Sequence, residues 1–292
     1  MNDTRAIGIF DSGIGGLTIA SSILKLLPNE QIIYFGDTLH LPYGDKDQNT
    51  VLDYSKKITN YLIQNQNCKA IVIACNTASA ASYIYLRDNY KGQVPIINVI
   101  DPIVEDVIND ESIKKVGIIG TNTTIASGIY QEKLTRRKSI LEYVTLATPK
   151  LAPMIEESFY QSRVDEAMIH SYLKDPVLNN IDALILACTH YPLIRREINN
   201  FYGGAVKLID STIVTPNKLK DILEKENLDF HHAISFGDGF NDEMMLKNTG
   251  KGLIMGNAPD TLKSKLSHLE VIDTNHEDGV AKYLSKLFPS KS

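Results

Sequence analysis

Two cysteines of this chain stand in almost the same local sequence. Cys75 lies in IVIACNT (71–77), and Cys188 lies in LILACTH (184–190). Each stretch is an apolar run, then Ala-Cys, then small polar residues that could open a helix. A thiol can give a proton and a thiolate can take one, so two matched thiols could work as acid and base on one substrate. The alternative is two small buried apolar side chains, which is common for free cysteine.

The residues after each cysteine favour the chemical interpretation. Asn76 and Thr77 follow the first cysteine, and Thr189 and His190 follow the second, so each sulfur has hydrogen-bonding neighbours. A helix N-terminus favours the thiolate, which predicts a pKa below the usual value of about 8.5. A metal site is less consistent with the sequence, because no CxxC is present and one adjacent histidine cannot complete a tetrahedral shell. Cys68, in the polar stretch NQNCKA, is interpreted as structural.

Short apolar runs alternate with helix-patterned segments, which is typical of an α/β fold with mainly parallel sheets. Apolar residues recur at helical spacing over residues 17–27 and 51–64. We predict strands at AIGIF (6–10), QIIYFG (31–36), AIVIAC (70–75), VPIINVI (94–100), KVGIIG (115–120), ALILAC (183–188), VKLID (206–210) and HAISFGD (232–238).

The chain also contains an internal duplication. Residues 7–10 followed by DSGIGGLTIA resemble residues 116–119 followed by GTNTTIASG, and an Ala-Cys strand comes about 65 residues after each start. The duplication predicts two similar parallel-sheet α/β domains related by pseudo-two-fold symmetry. We assign residues 1–100 and 208–292 to the first and 101–207 to the second. Because ligands collect at the carboxyl ends of parallel strands, we expect the active site in the cleft between the domains.

A glycine-rich turn, DSGIGGL, follows the first strand and opens a helix. It is not a dinucleotide fingerprint, because Thr18 stands where the third glycine would be needed, and no Walker lysine follows. Its free N–H groups could hold a carboxylate at the helix N-terminus. Asp11 and Ser12 lie at the end of the strand, where side chains face a cleft. The alternative is a tight turn in which Asp11 is a helix cap.

Two further segments contain candidate residues. The loop GDTLHLPYG (36–44) follows a strand, and its Tyr43–Gly44 backbone could clamp a small polar substrate. The alternative is an ordinary surface loop. Glu156 lies in APMIEES, an apolar helical stretch before the second cysteine strand. On pattern alone this acid could equally face solvent.

Composition excludes several classes of protein. The 292 residues are 43% apolar with a net charge of −5, enough for a sizeable core and weak evidence against a nucleic-acid partner. We expect no signal peptide and no membrane span, since no apolar run approaches the roughly 18–20 residues that a span needs. Three cysteines without a signal predict free thiols and a cytoplasmic location.

Together these segments resemble the glutamate racemase family. The family's motifs FDSGIGGL, GDT…PYG, ACNTASA, P…IEES and ACTHYPL occur in order over about residues 6–228. The resemblance implies that Cys75 and Cys188 are the two catalytic acid/base groups and that Asp11, Glu156 and His190 support proton transfer. It implies substrate contacts for Asp11, Ser12, Tyr43, Gly44, Asn76, Thr77, Thr121, Thr123, Thr124, Thr189 and His190.

The resemblance also implies a reaction and a setting. One thiolate would remove the α-hydrogen of glutamate while the opposite thiol delivers a proton to the other face. No cofactor motif is present to act as an electron sink, so we expect no cofactor. The expected role is supply of D-glutamate for peptidoglycan, by a homodimer. A racemase of aspartate or another small amino acid is the alternative within this class.

The C-terminal end resembles a different family. FGDGFNDEMMLKNTGKGLIMGNAPDTLK (236–263) and NHEDGVAKYL (275–284) are similar to the end of haloacid dehalogenase-type sugar phosphatases. In that family GDxxxD holds Mg²⁺ through two carboxylates, here Asp238 and Asp242, so the resemblance implies at most a weak Mg²⁺ site. The required DxD nucleophile is not found at the first strand, so we predict no phosphatase turnover. The segment could simply complete the first domain, and an inactive or phosphatase-related protein is the alternative from another class.

Overall fold

The structure, a computed structural model, describes residues 3–137, 140–161, 165–226, 234–249 and 251–287. The chain divides into two compact units, Met1–Ile222 and Leu223–Ser292. The larger unit contains two four-stranded sheets, and the smaller one contains a three-stranded sheet.

The first half of the larger unit is a parallel sheet of order β2-β1-β3-β4. Its inner strands are fully buried, which is why they are nearly continuous apolar runs in the sequence. Its elements are β1 (Ile7–Asp11), α1 (Leu17–Leu26), β2 (Ile32–Gly36), α2 (Gln48–Gln64), β3 (Ala70–Ile73), α3 (Asn76–Asn89), β4 (Ile96–Asn98) and α4 (Ile100–Asn109).

The second half repeats this topology as a parallel sheet of order β6-β5-β7-β8. The same strand order in both sheets confirms the prediction of two similar parallel-sheet α/β domains. Its elements are β5 (Lys115–Gly120), α5 (Asn122–Ala126), α6 (Ile129–Arg137), β6 (Glu142–Ala147), α7 (Leu151–Gln161), α8 (Glu166–Leu173), β7 (Ala183–Ala187), α9 (Arg195–Phe201), β8 (Lys207–Ile209) and α10 (Ser211–Glu226).

Two details of these halves differ from the sequence prediction. Strand β6 was not predicted, because it is an edge strand whose residues are exposed or half-buried, so its sequence lacks a continuous apolar run. Helix α2 begins three residues before the predicted start at residue 51. The cause is its N-cap, Asp47, whose side chain accepts a hydrogen bond from the Thr50 N–H at 3.0 Å.

The C-terminal residues form a sheet of their own, of order β11-β10-β9. A separate apolar cluster around Leu246, Ile254 and Leu262 stabilises this unit. The assignment of residues 208–292 to the first domain stays a prediction. Among the described residues, β9 pairs with β10, and β8 pairs with β7 in the second sheet. The elements of this unit are β9 (Ile234–Gly237), α11 (Glu243–Asn248), β10 (Lys251–Ile254), α12 (Asp260–Lys265), β11 (Glu270–Val271) and α13 (Gly279–Leu287).

Within the described part of the chain, no helix has both the length and the apolar character that crossing a bilayer requires.

Candidate active site

One cleft in the larger unit collects side chains that follow β1, β3 and β7. Parallel strands end at the same edge of a sheet, so each half presents its strand ends to this cleft. Eleven of the residues predicted for the site line it, and they come from both halves of the unit. They are Ser12, Tyr43, Gly44, Cys75, Asn76, Thr77, Thr121, Glu156, Cys188, Thr189 and His190.

Cys75 is the N-cap of α3, and its Sγ accepts a hydrogen bond from the Ala78 N–H at 3.4 Å. The Cys75 thiol in turn lies 3.7 Å from Ser12 Oγ, to which it can donate. Burial, followed by the negative charge of Asp11, raises the pKa of Cys75 to about 12. The predicted lowering by the helix N-terminus is therefore wrong for Cys75, because burial and a nearby carboxylate outweigh the helix dipole.

Cys188 follows β7 and has different neighbours. Its Sγ lies 3.5 Å from His190 Nδ1, while His190 Nε2 lies 2.8 Å from Glu156 Oε1. Burial by itself lowers the pKa of His190, but the hydrogen bonds to Cys188 and Glu156 outweigh it and leave that pKa well above 6.5. Glu156 therefore does not simply face solvent. It holds the far nitrogen of an imidazole whose near nitrogen contacts the thiol.

Asp11 lies beneath the cleft and is not among the residues that line it. Its fully buried carboxylate accepts hydrogen bonds from the N–H groups of Gly13 at 3.0 Å and Gly16 at 3.1 Å. The other carboxylate oxygen accepts from Thr189 Oγ1 at 3.3 Å. These contacts fit the tight-turn interpretation of Asp11, although the N-cap of α1 is Gly16 and not Asp11. The same carboxylate still acts on the cleft, through its charge on Cys75.

Glycine at position 15 lets this turn approach the second half. A Cβ at Gly15 would lie 2.7 Å from the His190 ring and 2.7 Å from Thr189 Oγ1, a separation that no side chain tolerates. The Thr18 hydroxyl also contacts the Thr189 carbonyl, at 3.3 Å. The glycine-rich turn therefore packs against Thr189 and His190, the residues beside Cys188, a role that the sequence did not indicate.

A cluster of threonine hydroxyls joins the two halves at the other side of the cleft. Thr77 Oγ1 lies 3.0 Å from Thr121 Oγ1 and 3.1 Å from Thr124 Oγ1. Thr124 and Thr123 do not line the cleft, although Thr121 does. Thr123 donates instead to the carbonyls of Gly44, at 2.7 Å, and Lys46, at 3.0 Å. Of the three predicted threonines in residues 121–124, only Thr121 lines the cleft.

The loop 36–44 is held by Asp37, which sequence reasoning missed. Tyr43 is fully buried and donates to Asp37 Oδ2 at 2.6 Å, and Asp37 also contacts His40 at 2.8 Å. A Cβ at Gly44 would lie 2.8 Å from Thr121 Cβ, so glycine there permits contact between the halves. Other cleft residues were also missed because they are apolar or lie in turns. They are Leu41, Pro42, Asp45, Pro149, Ala152, Pro153 and Ala187.

The C-terminal carboxylates lie in the smaller unit. Asp242 Oδ2 accepts from the N–H groups of Asp238 and Gly239, both at 3.1 Å, and Asp238 Oδ2 accepts from Asn257 at 2.7 Å. No group of three or more His, Cys, Asp or Glu among the described residues is arranged to hold a metal ion. Asp242 Oδ1 also accepts a hydrogen bond, from the Asn241 amide at 3.0 Å. The weak Mg²⁺ site at Asp238 and Asp242 stays a prediction.

Comparison with known proteins relates the chain to two families. A family model described as haloacid dehalogenase-like hydrolase matches residues 51–284. The glutamate racemase of Aquifex aeolicus (strain VF5) is 40% identical over 220 residues, which is 75% of this chain and 84% of that protein.

Solved structures agree with the second relationship. Glutamate racemase isoform RacE1 from Bacillus anthracis matches with a TM-score of 0.72 at 29% identity, covering 91% of this chain and 96% of that one. Glutamate racemase from Francisella tularensis subsp. tularensis SCHU S4, solved in complex with D-glutamate, matches with a TM-score of 0.70 at 33% identity, covering 93% and 96%.

The relatives and the solved structures place the protein in the class of amino-acid racemases, which are isomerases. Within that class the chain belongs to the glutamate racemase family. The hydrolase match relates it as well to the haloacid dehalogenase-like hydrolases, and that match includes most of the C-terminal unit.

Proposed function

We propose that this protein interconverts L- and D-glutamate by two-base proton transfer at the α-carbon, without a cofactor. The observation that carries the proposal is one cleft lined by two thiols, Cys75 from one half and Cys188 from the other. The Francisella relative, 33% identical, was solved with D-glutamate, which supports the choice of substrate.

In the proposed reaction, a thiolate on one side takes the α-hydrogen as a proton. The C–H bond breaks, an S–H bond forms, and the electron pair delocalises into the α-carboxylate. The second thiol then gives its proton to the opposite face, so its S–H bond breaks and a new C–H bond forms. Each turnover exchanges the protonation states of the two cysteines, and solvent exchange or the reverse reaction restores them. L- and D-glutamate therefore enter with opposite forms of the pair.

The two cysteines have different surroundings for this proton transfer. A base whose pKa is about 12 is strong enough to attack a weak carbon acid, but little of it is ionised at neutral pH. The ammonium group of a bound amino acid would favour the Cys75 thiolate by charge attraction. Protonated His190, next to Cys188 and Glu156, supplies a positive charge at the other thiol.

The polar groups around the cleft suit a dicarboxylate. The hydroxyls of Ser12, Thr77 and Thr121 and the amide of Asn76 line it as neutral donors. The helix N-terminus that follows Cys75 adds backbone N–H groups, which favour an anion. These backbone N–H groups would stabilise the charge that builds on the α-carboxylate during proton removal.

The proposed function is tested by following optical activity. Purified protein is given each enantiomer of glutamate and of aspartate in turn, and circular dichroism records the loss of signal. We expect both glutamate enantiomers to decay to the racemate, with equal kcat/KM because the equilibrium constant of racemisation is unity. A faster reaction with aspartate would overturn the substrate assignment, and no reaction with any of the four would overturn the function.

The charge of Asp11 provides a test of pH dependence. Replacing Asp11 with asparagine removes a carboxylate that raises the pKa of Cys75, so we expect that thiol to ionise at lower pH than in the parent protein. The titration is followed by thiolate absorbance in a background in which Cys68 and Cys188 are alanine. A titration that stays in place or moves to higher pH would show that Asp11 does not act on this thiol through its charge.

The hydrolase relationship does not yield a second proposal, because the described residues contain no group of three or more His, Cys, Asp or Glu side chains arranged to bind a metal ion. We expect no Mg²⁺-dependent phosphate release from sugar phosphates and no change in racemisation when Asp238 is replaced by alanine. Colorimetric phosphate assay with and without Mg²⁺ checks this. Mg²⁺-dependent release that disappears in Asp238→Ala would establish the phosphatase alternative.

The family resemblance extends the proposal to the cell. We expect a cytoplasmic homodimer that supplies D-glutamate for peptidoglycan. Restored growth of a D-glutamate auxotroph carrying this protein would support that role, and light scattering of the purified protein gives the number of subunits.

A further inference from the structure

A buried tyrosine of the second half hydrogen-bonds a cleft residue of the first half. Tyr130, on α6, donates from its hydroxyl to Asn76 Oδ1 at 2.7 Å. We infer that Tyr130 is a positioning residue, which turns the Asn76 side-chain N–H₂ group toward a carboxylate of the substrate. The inference rests on the proposed function, since it assumes that glutamate occupies this cleft, and it adds a residue to which neither the sequence motifs nor the comparisons point.

Tyr130 is the donor in this contact, because the Asn76 atom that it meets is the amide oxygen Oδ1, which can only accept. Its side chain is 1% exposed, and burial raises the pKa of its hydroxyl, so the phenol stays protonated. A phenol carries one hydrogen, and here that hydrogen is given to Asn76. The contact therefore fixes which end of the Asn76 amide faces the tyrosine, and the N–H₂ end must face elsewhere.

The opposite end of the same amide has no partner in the protein. Asn76 is 2% exposed and lines the cleft, and its Nδ2 atom is buried without a hydrogen-bond acceptor among the described residues. Buried polar groups in native proteins are almost always hydrogen-bonded, so an unpartnered N–H₂ at a ligand cleft points to an acceptor on the ligand. Of the groups on glutamate, the carboxylates accept hydrogen bonds and the ammonium does not.

The position of Asn76 in the chain strengthens the carboxylate assignment. It is the first residue of α3, directly after Cys75, where backbone N–H groups favour an anion. The tyrosine approaches from the other half of the unit. The orientation of this donor in the first half thus depends on a side chain of the second half.

The decisive variant is Tyr130→Phe, which removes only the hydroxyl. The matched control is Tyr191→Phe. Tyr191 is also fully buried in the second half, and its hydroxyl lies 2.6 Å from Thr148 Oγ1, which does not line the cleft. We expect Tyr130→Phe to raise KM for both enantiomers about tenfold while kcat falls less than about threefold. The reason is that the Asn76 amide, no longer held in place, loses its hydrogen bond to the charged carboxylate of the substrate in ground and transition states alike. We expect Tyr191→Phe to change KM less than about twofold.

A double-mutant cycle separates positioning from packing. If Tyr130 acts through Asn76, then Tyr130→Phe should change KM less than about twofold in an Asn76→Ala background. An equal effect of Tyr130→Phe in both backgrounds, or an unchanged KM in Tyr130→Phe alone, would overturn the inference. Thermal melting of each variant checks that the fold is retained.

A substitution at Asn76 tests the inference without changing Tyr130. Asn76→Asp retains the oxygen that accepts from Tyr130 and replaces the N–H₂ donor with another oxygen, so KM should rise at least as far as in Asn76→Ala. Glutamate binding by Asn76→Asp equal to the parent protein's would sink the inference even if Tyr130→Phe failed to fold. If the parent protein itself neither turns over nor binds D-glutamate in calorimetry, the proposed function fails. A parent that racemises beside an unaffected Tyr130→Phe overturns only the inference about Tyr130.

Discussion

Replacing Cys75 with serine should lower glutamate racemisation by about 10³-fold or more, and replacing Cys188 with serine should do the same. Each substitution removes one of the two proton-transfer groups, and a positioned acid or base contributes about 10²–10⁴-fold. A serine hydroxyl is far too weak an acid and too poorly ionised to take over. Circular dichroism with each enantiomer measures the loss in both directions.

The same pair of variants should separate the two faces of the substrate. With one cysteine left, a thiolate can still remove the α-hydrogen that faces it and return a solvent-derived proton to the same face. In ²H₂O we therefore expect each single variant to exchange the α-hydrogen of one enantiomer only, and the two variants to prefer opposite enantiomers. Proton NMR of recovered glutamate measures the exchange.

The third cysteine provides the control for this experiment. Cys68 is buried but does not line the cleft, so Cys68→Ala should racemise glutamate at the parent rate, within about twofold. Full activity in either serine variant would overturn the two-cysteine mechanism. Exchange of both enantiomers by one single variant would show that the remaining cysteine reaches both faces.

Replacing His190 with asparagine should slow racemisation by about 10²-fold, the lower part of the range for a positioned proton-transfer partner. The imidazole contacts the thiol of Cys188 at 3.5 Å and Glu156 at 2.8 Å, so its removal deprives the thiolate of a cationic neighbour. Because kcat/KM is equal for the two enantiomers, it should fall equally in both directions. Steady-state kinetics with L- and D-glutamate measures this.

Because the pKa of His190 is raised, its contact with Glu156 should make the free energy of unfolding depend on pH. A histidine whose pKa is raised on folding stabilises the protein below its unfolded pKa, about 6.5, and loses that contribution as pH rises through the folded value. Glu156→Gln replaces the charged acceptor of one of the hydrogen bonds that raise this pKa with a neutral, weaker one. The stability difference between the parent and this variant should therefore be largest near pH 5–6, about 1–3 kcal/mol, and should shrink at higher pH.

Urea unfolding across this pH range measures that difference. His170, which packs against Phe201 on the second half and does not line the cleft, supplies the control. His170→Asn should leave kcat/KM within about twofold of the parent value. A stability difference for Glu156→Gln that grows with pH would contradict the assignment of a protonated His190.

The strands show which elements can be predicted from local sequence. Inner strands such as β3 and β7 are buried on both faces, so their sequences are unbroken apolar runs that can be recognised without a structure. The edge strand β6 is half exposed and was missed for that reason. Likewise the resemblance to a second family predicted a distinct C-terminal segment. Its pairing into a sheet of its own depends on strand partners, which no local pattern specifies.

In the site too, contacts between sequence neighbours could be predicted, whereas contacts between distant residues could not. Motif residues such as Cys188 and His190 are close in sequence, and their contact could be anticipated. The bond between His190 and Glu156 joins residues 34 positions apart, and that between Tyr130 and Asn76 joins residues 54 positions apart. Such contacts depend on how helices pack across the cleft.

By itself, the sequence determined that two similar α/β halves each carry a cysteine at a strand end, because strand period and duplication are local and repeated signals. It also determined the family, through motifs that surround both thiols. Only the tertiary structure decided the electrostatic character of Cys75, whose pKa burial and Asp11 raise against the helix dipole. It alone decided that Asp11 lies beneath the cleft, and that Tyr130 holds Asn76. The physical reason is that burial and charge proximity are properties of three-dimensional packing, which residue order does not contain.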